Sequence, residues 1–511
     1  MSTILDNAML GLGVAFQPYN LAFCFLGVFL GTILGVIPGI GVLVSISLLF
    51  PITFHVEPVA ALVLLAGIYY GTTYGGSTSA ILLNVPGTPS SAVACLDGHP
   101  MAQKGRAATA LFMTTVASFF GGSVGIIMLM GFSPVIAASA VQFGSAEYFA
   151  LMVLGLIAAS TIASGSMLKG IAMVLIGILM GLVGSDVYTG TLRFTFGQMA
   201  LFEGISIIAL AMGIFGVTEV IHSVLNIKKA GEANHDLSFR AMLPTRQEMR
   251  DSWMPMIRGS MIGSFFGALP GTGGLIAAYM SYATEKRVGK TETFGKGAIQ
   301  GVTGPESANN AADQTAFIPT LTLGIPGSPT MAIILGVLII HGIEPGPMVV
   351  VNQPDLFWGL VMSFWVGNLM LLILNIPMVG LWVRLLRIPF HLMYPAILMF
   401  IVMGVLTTYN DEIQVWVVLI CGAFGYLLRY LGMQAAPLIL GFVLGPMMEE
   451  HFRRTLLLNG GDFTAFAGSA ISQVCLGVSA LLLVYGLFVT YRTRLRTVQA
   501  QRSVSSRNSQ V

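Results

Sequence analysis

Long uncharged stretches set the pattern of this chain. No Asp, Glu, Lys or Arg stands between Asp6 and Glu57, between Glu57 and Asp97, or between Arg106 and Glu147. Each stretch outruns the ~20 residues that cross a bilayer as a helix. Apolar segments fall near 20–52, 59–94, 108–138, 146–163, 168–184, 200–221, 258–284, 299–340, 356–383, 390–407, 413–431, 434–447 and 467–491. The pattern predicts an all-α, polytopic membrane protein with about 12 membrane segments. An outer-membrane barrel would instead alternate over ~10-residue segments. Several segments are too long for one span and are interrupted by Gly-Pro clusters, which predicts broken helices and re-entrant hairpins.

Similar stretches recur. "LGTILGVIPGIG" (30–41) resembles "IGSFFGALPGTG" (262–273), with Pro38 and Gly39 matching Pro270 and Gly271 at an offset of 232. "LNVPGTPS" (83–90) resembles "LGIPGSPT" (323–330), with Pro86 and Pro89 matching Pro326 and Pro329 at an offset of 240. The order is the same and the offsets nearly so, as expected of an internal repeat. The expected organisation is a first membrane repeat over 1–221, a cytoplasmic linker over 222–257 and a second repeat over 258–455. A final transmembrane helix over 456–491 and a basic tail over 492–511, expected to be disordered, complete it.

Charge gives the second repeat its orientation. With the linker and tail on the cytoplasmic side, 21 of the 24 Lys and Arg residues fall on that side; Arg193, Arg453 and Arg454 do not. The N-terminus is then periplasmic and the C-terminus cytoplasmic. Loop 53–58 carries no Lys or Arg, while its counterpart 285–298 carries four. Loop 97–106 carries two and its counterpart 341–347 none. This alternation predicts inverted-topology repeats, an arrangement shared by many secondary transporters.

The polar chemistry sits where these repeats break. "YYGTTYGGSTSAILLNVPGTPSSA" (69–92) has no charge but many hydroxyls, glycines and two prolines. Irregular backbone at membrane depth is tolerated only where it is packed in protein or lines a cavity. Pro86 and Pro89 remove backbone donors, and Gly87 permits a sharp turn. Thr88, Ser90 and Ser91 suit the cap of a following half-helix, as Gly327, Ser328 and Thr330 do in the other repeat. Half-helix N-termini favour anions, so Thr72, Thr73, Ser77, Asn84, Gly87, Thr88, Ser90, Gly327, Ser328 and Thr330 are the expected substrate-binding residues. In "GPESANNAADQTAF" (304–317), Asn309, Asn310 and Asp313 are expected to couple an ion, Na⁺ or H⁺. Glu306 fits either this role or a solvated loop. Close helix packing alone is a further reading of the glycines.

Other classes lack their motifs. There is no HExxH, Walker loop or GxSxG, which argues against metal hydrolysis, ATP hydrolysis and serine hydrolysis. Cys24, Cys95, Cys421 and Cys475 have no metal-site spacing. The chain is expected not to be an enzyme and to need no cofactor beyond a coupling ion. With 9% charged residues and a net charge of +2, nothing points to nucleic acid.

"GVIPGIG", "YYGTTYGGSTSAILLNVPGTPSSA", "DGHPMAQKGRA", "LPGTGG", "GPESANNAADQTAFIPTLTLGIPGSPT" and "LILGFVLGPMMEEHFRRTLLLNGGD" together resemble the large membrane subunit of the bacterial tripartite tricarboxylate transporters, the TctA family. The resemblance runs from about residue 20 to 490. It implies a small four-helix membrane subunit and a periplasmic solute-binding protein as partners. It also implies ion-driven import of citrate or a related di- or tricarboxylate across the bacterial inner membrane, with an elevator motion. A stand-alone ion-coupled carboxylate carrier is the alternative.

Overall fold

Proline and glycine punctuate the helices. The computed structural model describes residues 4–38, 40–138, 143–162, 166–186, 188–225, 238–269, 273–289, 293–346, 348–386, 390–409 and 411–508. Gly39, Pro270 and Gly271, part of the linker (226–237) and the last three residues lie outside the described residues. The chain begins with α1 (Ile4–Ala15), α2 (Pro18–Val36), α3 (Val42–Leu49), α4 (Pro58–Leu83), α5 (Ala94–Met101) and α6 (Ala107–Ala138). Next are α7 (Ser145–Ile162), α8 (Met167–Gly181) and a short antiparallel hairpin of β1 (Gly184–Ser185) with β2 (Leu192–Arg193). Then come α9 (Ile207–Ala211), α10 (Thr218–Leu225), α11 (Phe239–Met242), α12 (Arg246–Ala268), α13 (Gly273–Val288), α14 (Gln300–Thr315), α15 (Phe317–Leu323) and α16 (Pro329–Ile340). α17 (Val349–Asn352), α18 (Pro354–Asn375), α19 (Val379–Leu385), α20 (Phe390–Tyr409), α21 (Glu412–Tyr430), α22 (Ala436–Leu458) and α23 (Ala470–Asn508) complete it.

The all-α class expected from the sequence holds. Among the described residues, six helices are long and apolar enough to cross a membrane: Pro18–Val36, Pro58–Leu83, Ser90–Phe132, Pro354–Asn375, Glu412–Tyr430 and Ala470–Phe488. Large apolar side chains such as Phe25, Trp416, Ile420 and Leu481 are exposed on them, the surface a bilayer covers. α23 runs from Ala470 to Asn508, into the basic tail. No Gly or Pro follows Gly486, so no strong helix breaker ends it.

The described chain divides into two compact units, Met1–Gln142 with Ser206–Leu427 and Phe143–Ile205 with Leu428–Val511. In the first unit, glycines bring helix backbones together. A Cβ on Gly27, Gly31 or Gly35 of α2 would collide with the carbonyls of Leu64, Ile68 and Thr72 on α4. A Cβ on Gly259, Gly263 or Gly267 of α12 would collide with those of Gly304, Ala308 and Ala312 on α14. The two glycine sets are 232 apart, and the residues they meet are 240 apart. Only residues without side-chain bulk allow backbones this close.

The turns correspond in the same register. α4 ends on Asn84 with φ 56°, and α15 ends on Gly324 with φ 68°, both left-handed caps and again 240 apart. After each cap comes a Pro-Gly turn. Gly87 packs on the Gly35 carbonyl and on Gly76, while Gly327 packs on the Gly267 carbonyl and Ala316. A Cβ at Gly87 would lie 2.5 Å from the Gly35 oxygen, so no larger residue fits there without movement.

In the second unit, Gly177 of α8 meets the backbone of Leu438 and Phe442 on α22. An ion-pair cluster ties the β-hairpin to α22. Arg193 pairs with Asp186 and with Glu449, and Arg453 pairs with Asp186 at 3.2 Å and Glu449 at 2.6 Å. Two of the three basic residues that the charge count leaves on the far side are therefore neutralised by acids.

Candidate functional site

α14 is the polar centre of the first unit. Its sequence, "QGVTGPESANNAADQT", is no more apolar than a loop, yet every residue from Gly301 to Thr315 is buried. It is held at its N-terminus by Asp97 of α5. Asp97 accepts from the backbone N–H groups of Gly297 and Ala298 at 2.7 and 2.8 Å, and from the Tyr282 hydroxyl at 2.9 Å. This gives the acid of "DGHPMAQKGRA" a positioning role.

The burial is tolerable because neighbouring helices supply hydrogen bonds. α4 presents Tyr69, Tyr70, Thr73, Tyr74 and Ser77 along one face. Tyr69 donates to Asp313 Oδ1 at 2.6 Å and Thr73 to Asp313 Oδ2 at 3.0 Å. Tyr70 donates to Gln314 Oε1 at 2.7 Å. Ser77 reaches both oxygens of Glu306, at 2.9 and 3.0 Å. Residue numbers fall along α4 as they rise along α14, so the two helices run antiparallel. Ser118 of α6 adds a bond to Glu306 Oε1 at 3.0 Å, and Asn310 donates to Ser118 at 2.9 Å. Tyr74 donates instead to Asn368 of α18 at 2.8 Å.

The charge balance is unusual. The side chains donating to the two carboxylates are all neutral. A buried carboxylate without a basic partner is costly unless it is richly hydrogen-bonded or takes up a cation or proton. Asn309, 1% exposed, leaves both its amide atoms without a partner. Its oxygen and Asp313 Oδ1 both face Gly274, at the start of α13. Buried polar atoms without partners are rare, and each calls for an explanation such as a bound ion or water. Among the described residues, no cluster of three His, Cys, Asp or Glu could hold a metal ion.

The expected site residues divide into groups. Thr73, Ser77, Asn310 and Asp313 join one hydrogen-bonded array, with Asn309 at its edge. Thr72 does not join it: its hydroxyl returns to the Ile68 carbonyl at 2.7 Å, beside α2. Thr88, Ser90 and Ser91 bond among themselves, as Thr88 N–H to Ser91 Oγ at 3.1 Å and Thr88 Oγ1 to Ser90 Oγ at 3.2 Å. Thr88 packs on Gly76, beside Ser77. Ser328 caps α16 by accepting from Met331 N–H at 3.3 Å, Pro329 opens that helix, and Thr330 is buried in its first turn. The Gly327 N–H donates to Thr320 Oγ1 at 3.4 Å. Pro38, Pro86, Pro89 and Pro326 all stand in turns or at helix starts.

Glu306 is buried within α14, which removes the loop reading. Tyr69, Tyr74, Ser118 and Asn368 were not singled out by sequence. The tyrosines carried a signal, because Tyr70, Tyr74 and Ser77 repeat at helical spacing. Ser118 is one of several hydroxyls in the otherwise apolar α6, and nothing in the sequence set it apart. A small cavity, with room for about one water molecule, reaches Glu306. Tyr74, Thr78, Thr115, Ser118 and Asn375 form its polar wall and Trp382 part of its apolar wall. None of the ten expected substrate-binding residues lines it.

Residues 21–440 match the Tripartite tricarboxylate transporter TctA family. The chain belongs to that family. It is similar over nearly its whole length to an Agrobacterium vitis protein described as an uncharacterized 52.8 kDa protein in the TAR-I ttuC' 3' region. The two are 46% identical over 498 residues, 97% of this chain and 98% of the relative. A second Agrobacterium vitis protein, from the TAR-II ttuC' 3' region, is 48% identical over 233 residues, 45% of this chain and 96% of its own. No solved structure matches. This TctA-family chain is thus a multi-pass membrane protein and a component of a transporter.

Proposed function

We propose that the chain is the permease subunit of a binding-protein-dependent secondary transporter that imports citrate or another di- or tricarboxylate with Na⁺ or H⁺. Two left-handed caps and their Pro-Gly turns, at Asn84 and Gly324, carry this reading. They recur in one register on either side of the contact between Thr73 and Asp313. The matching glycine contacts and the antiparallel run of α4 against α14 support two inverted repeats. Such repeats set broken helices around a substrate site in many carriers. The turns offer hydroxyls and half-helix N-termini to a carboxylate, and Asp313 with Asn309 and Asn310 offers oxygens to a cation. An elevator motion would move this block against the remaining helices. The partners are a small four-helix membrane subunit and a periplasmic solute-binding protein. The membrane is the bacterial inner membrane, with the N-terminus periplasmic and the C-terminus cytoplasmic.

The test is radiolabelled citrate uptake into proteoliposomes holding this chain and its small subunit, with or without the binding protein and with an inward Na⁺ or H⁺ gradient. Uptake that needs the binding protein and one gradient supports the reading. Uptake without any binding protein points to a stand-alone carrier. No uptake of citrate, or of any carboxylate the binding protein holds, overturns it.

A further inference from the structure

Glu306 and Asp313 differ in surroundings. Asp313 lies beside the unpartnered Asn309 amide, while Glu306 lies at a cavity. We propose that Glu306 is a proton-exchange site distinct from the Asp313 ion site, reached from the basic face of the protein through that cavity. The inference rests on the transport reading only for its purpose.

The hydrogen bonds around Glu306 fit two protonation states. Ser118 has an accepting lone pair occupied by the Asn310 amide, at 2.9 Å. Its own hydrogen is therefore directed to Glu306 Oε1, at 3.0 Å. Oε2 has Ser77 as its partner, at 3.0 Å. With Glu306 ionised, Ser77 donates. With a proton on Oε2, the new O–H donates to Ser77, whose hydroxyl turns to the carbonyl one helical turn back, as serines in helices do. The proton comes from cavity water: one O–H bond of hydrated H⁺ breaks, and the Oε2–H bond forms.

The cavity supplies the route. Its lining includes Met242 and Trp382, each two residues from an arginine, Arg240 and Arg384. Both arginines belong to the side that the charge distribution assigns to the cytoplasm. The titratable groups facing Glu306 are few. α4 brings Tyr74, and α14 itself brings Asp313. α5 brings Asp97, already bonded to backbone, and α13 brings Glu285, neutralised by Arg258 of α12 at 2.6 Å. No basic side chain among the described residues bonds Glu306.

The test uses the purified full chain in lipid nanodiscs and needs no substrate, so failed citrate uptake leaves it unaffected. Infrared difference spectra follow the protonated-carboxyl stretch as pH is varied. The expected result is a titrating band that is lost in Glu306→Gln and retained in Asp313→Asn. Thr115→Trp, which fills the cavity, should slow deuterium exchange of that band. A band that titrates unchanged in Glu306→Gln overturns the proton site, and unchanged exchange in Thr115→Trp overturns the route. Should Glu306→Gln fail to fold, Ser77→Ala decides: a shifted band supports the switchable bond, and an unshifted one overturns it.

Discussion

Thr73 donates a hydrogen bond to Asp313 across 3.0 Å, and the two residues stand 240 positions apart, the offset that also separates the caps Asn84 and Gly324. In any two-fold arrangement, a residue that touches its own counterpart lies at the axis. The bond thus joins an uncharged hydroxyl from one half to a carboxylate from the other. Thr73→Val should leave a buried carboxylate oxygen unpaired and cost about 1–3 kcal/mol. Asp313→Asn should lose less when Thr73 is already valine than when it is threonine. A double-mutant cycle on thermal unfolding in detergent measures that coupling, and strict additivity would contradict a direct bond.

Asn84 separates backbone from chemistry. Its φ of 56° suits Asn or Gly, and alanine there costs about 1–2 kcal/mol. Asn84→Gly keeps the turn but deletes the amide, which makes no hydrogen bond among the described residues. If the amide serves the substrate, Asn84→Ala and Asn84→Gly both abolish uptake while membrane insertion stays intact. Uptake retained by Asn84→Gly alone would reduce Asn84 to a turn-former.

How far the sequence could be read follows from these residues. The turns at 86–89 and 326–329 were legible because Pro and Gly act locally, through a missing donor and a missing Cβ. Their matched spacing, 240 residues apart, was legible for the same reason. Glu306 was not, because "GPESANNAADQT" has the polarity of a loop. Its burial depends on Ser77 and Ser118, which stand far from it in sequence. That Thr72 stands outside the array around Asp313 was not legible, because alternate faces of one helix carry similar hydroxyls. Which face meets α2 is decided by the glycines Gly31 and Gly35, whose partners lie one helix away. The cavity has no sequence signature, since its wall is assembled from six helices.

The glycine contacts predict paired effects. Gly→Ala inside a helix normally gains about 1 kcal/mol from propensity. At Gly31 and Gly263 the added methyl would instead meet the backbone of Ile68 and Ala308. Forcing two packed helices apart costs typically about 1–3 kcal/mol. Gly31→Ala and Gly263→Ala should both lower the thermal midpoint, by similar amounts. Gly13→Ala, with nothing within 4 Å of the new methyl, should leave it unchanged or raise it. Equal behaviour of all three variants would refute the close approach.

The pair Arg106–Glu248 predicts a pH dependence. Arg106, at the end of the 102–106 turn, grips the Glu248 carboxylate with both guanidinium nitrogens, one of them at 2.8 Å. Glu248 also closes a capping box with Thr245 at the start of α12. The Arg106 hydrogen bonds, helped by the Thr245 N–H and hydroxyl and opposed by burial, hold the Glu248 carboxyl at about 2, against an ordinary 4.5. A carboxyl depressed in the folded state stabilises above its unfolded value, and that contribution is lost as pH falls through the folded value. The stabilisation is therefore complete above about 4.5 and withdrawn toward about 2. Because Arg106 is 41% exposed, solvent screening limits it to about 1 kcal/mol or less. Thermal midpoints of the wild type and Glu248→Gln should differ most near neutral pH and converge as the medium is acidified. No gap even at neutral pH would mean that the cap, which glutamine can also form, and not the ion pair, secures this helix start.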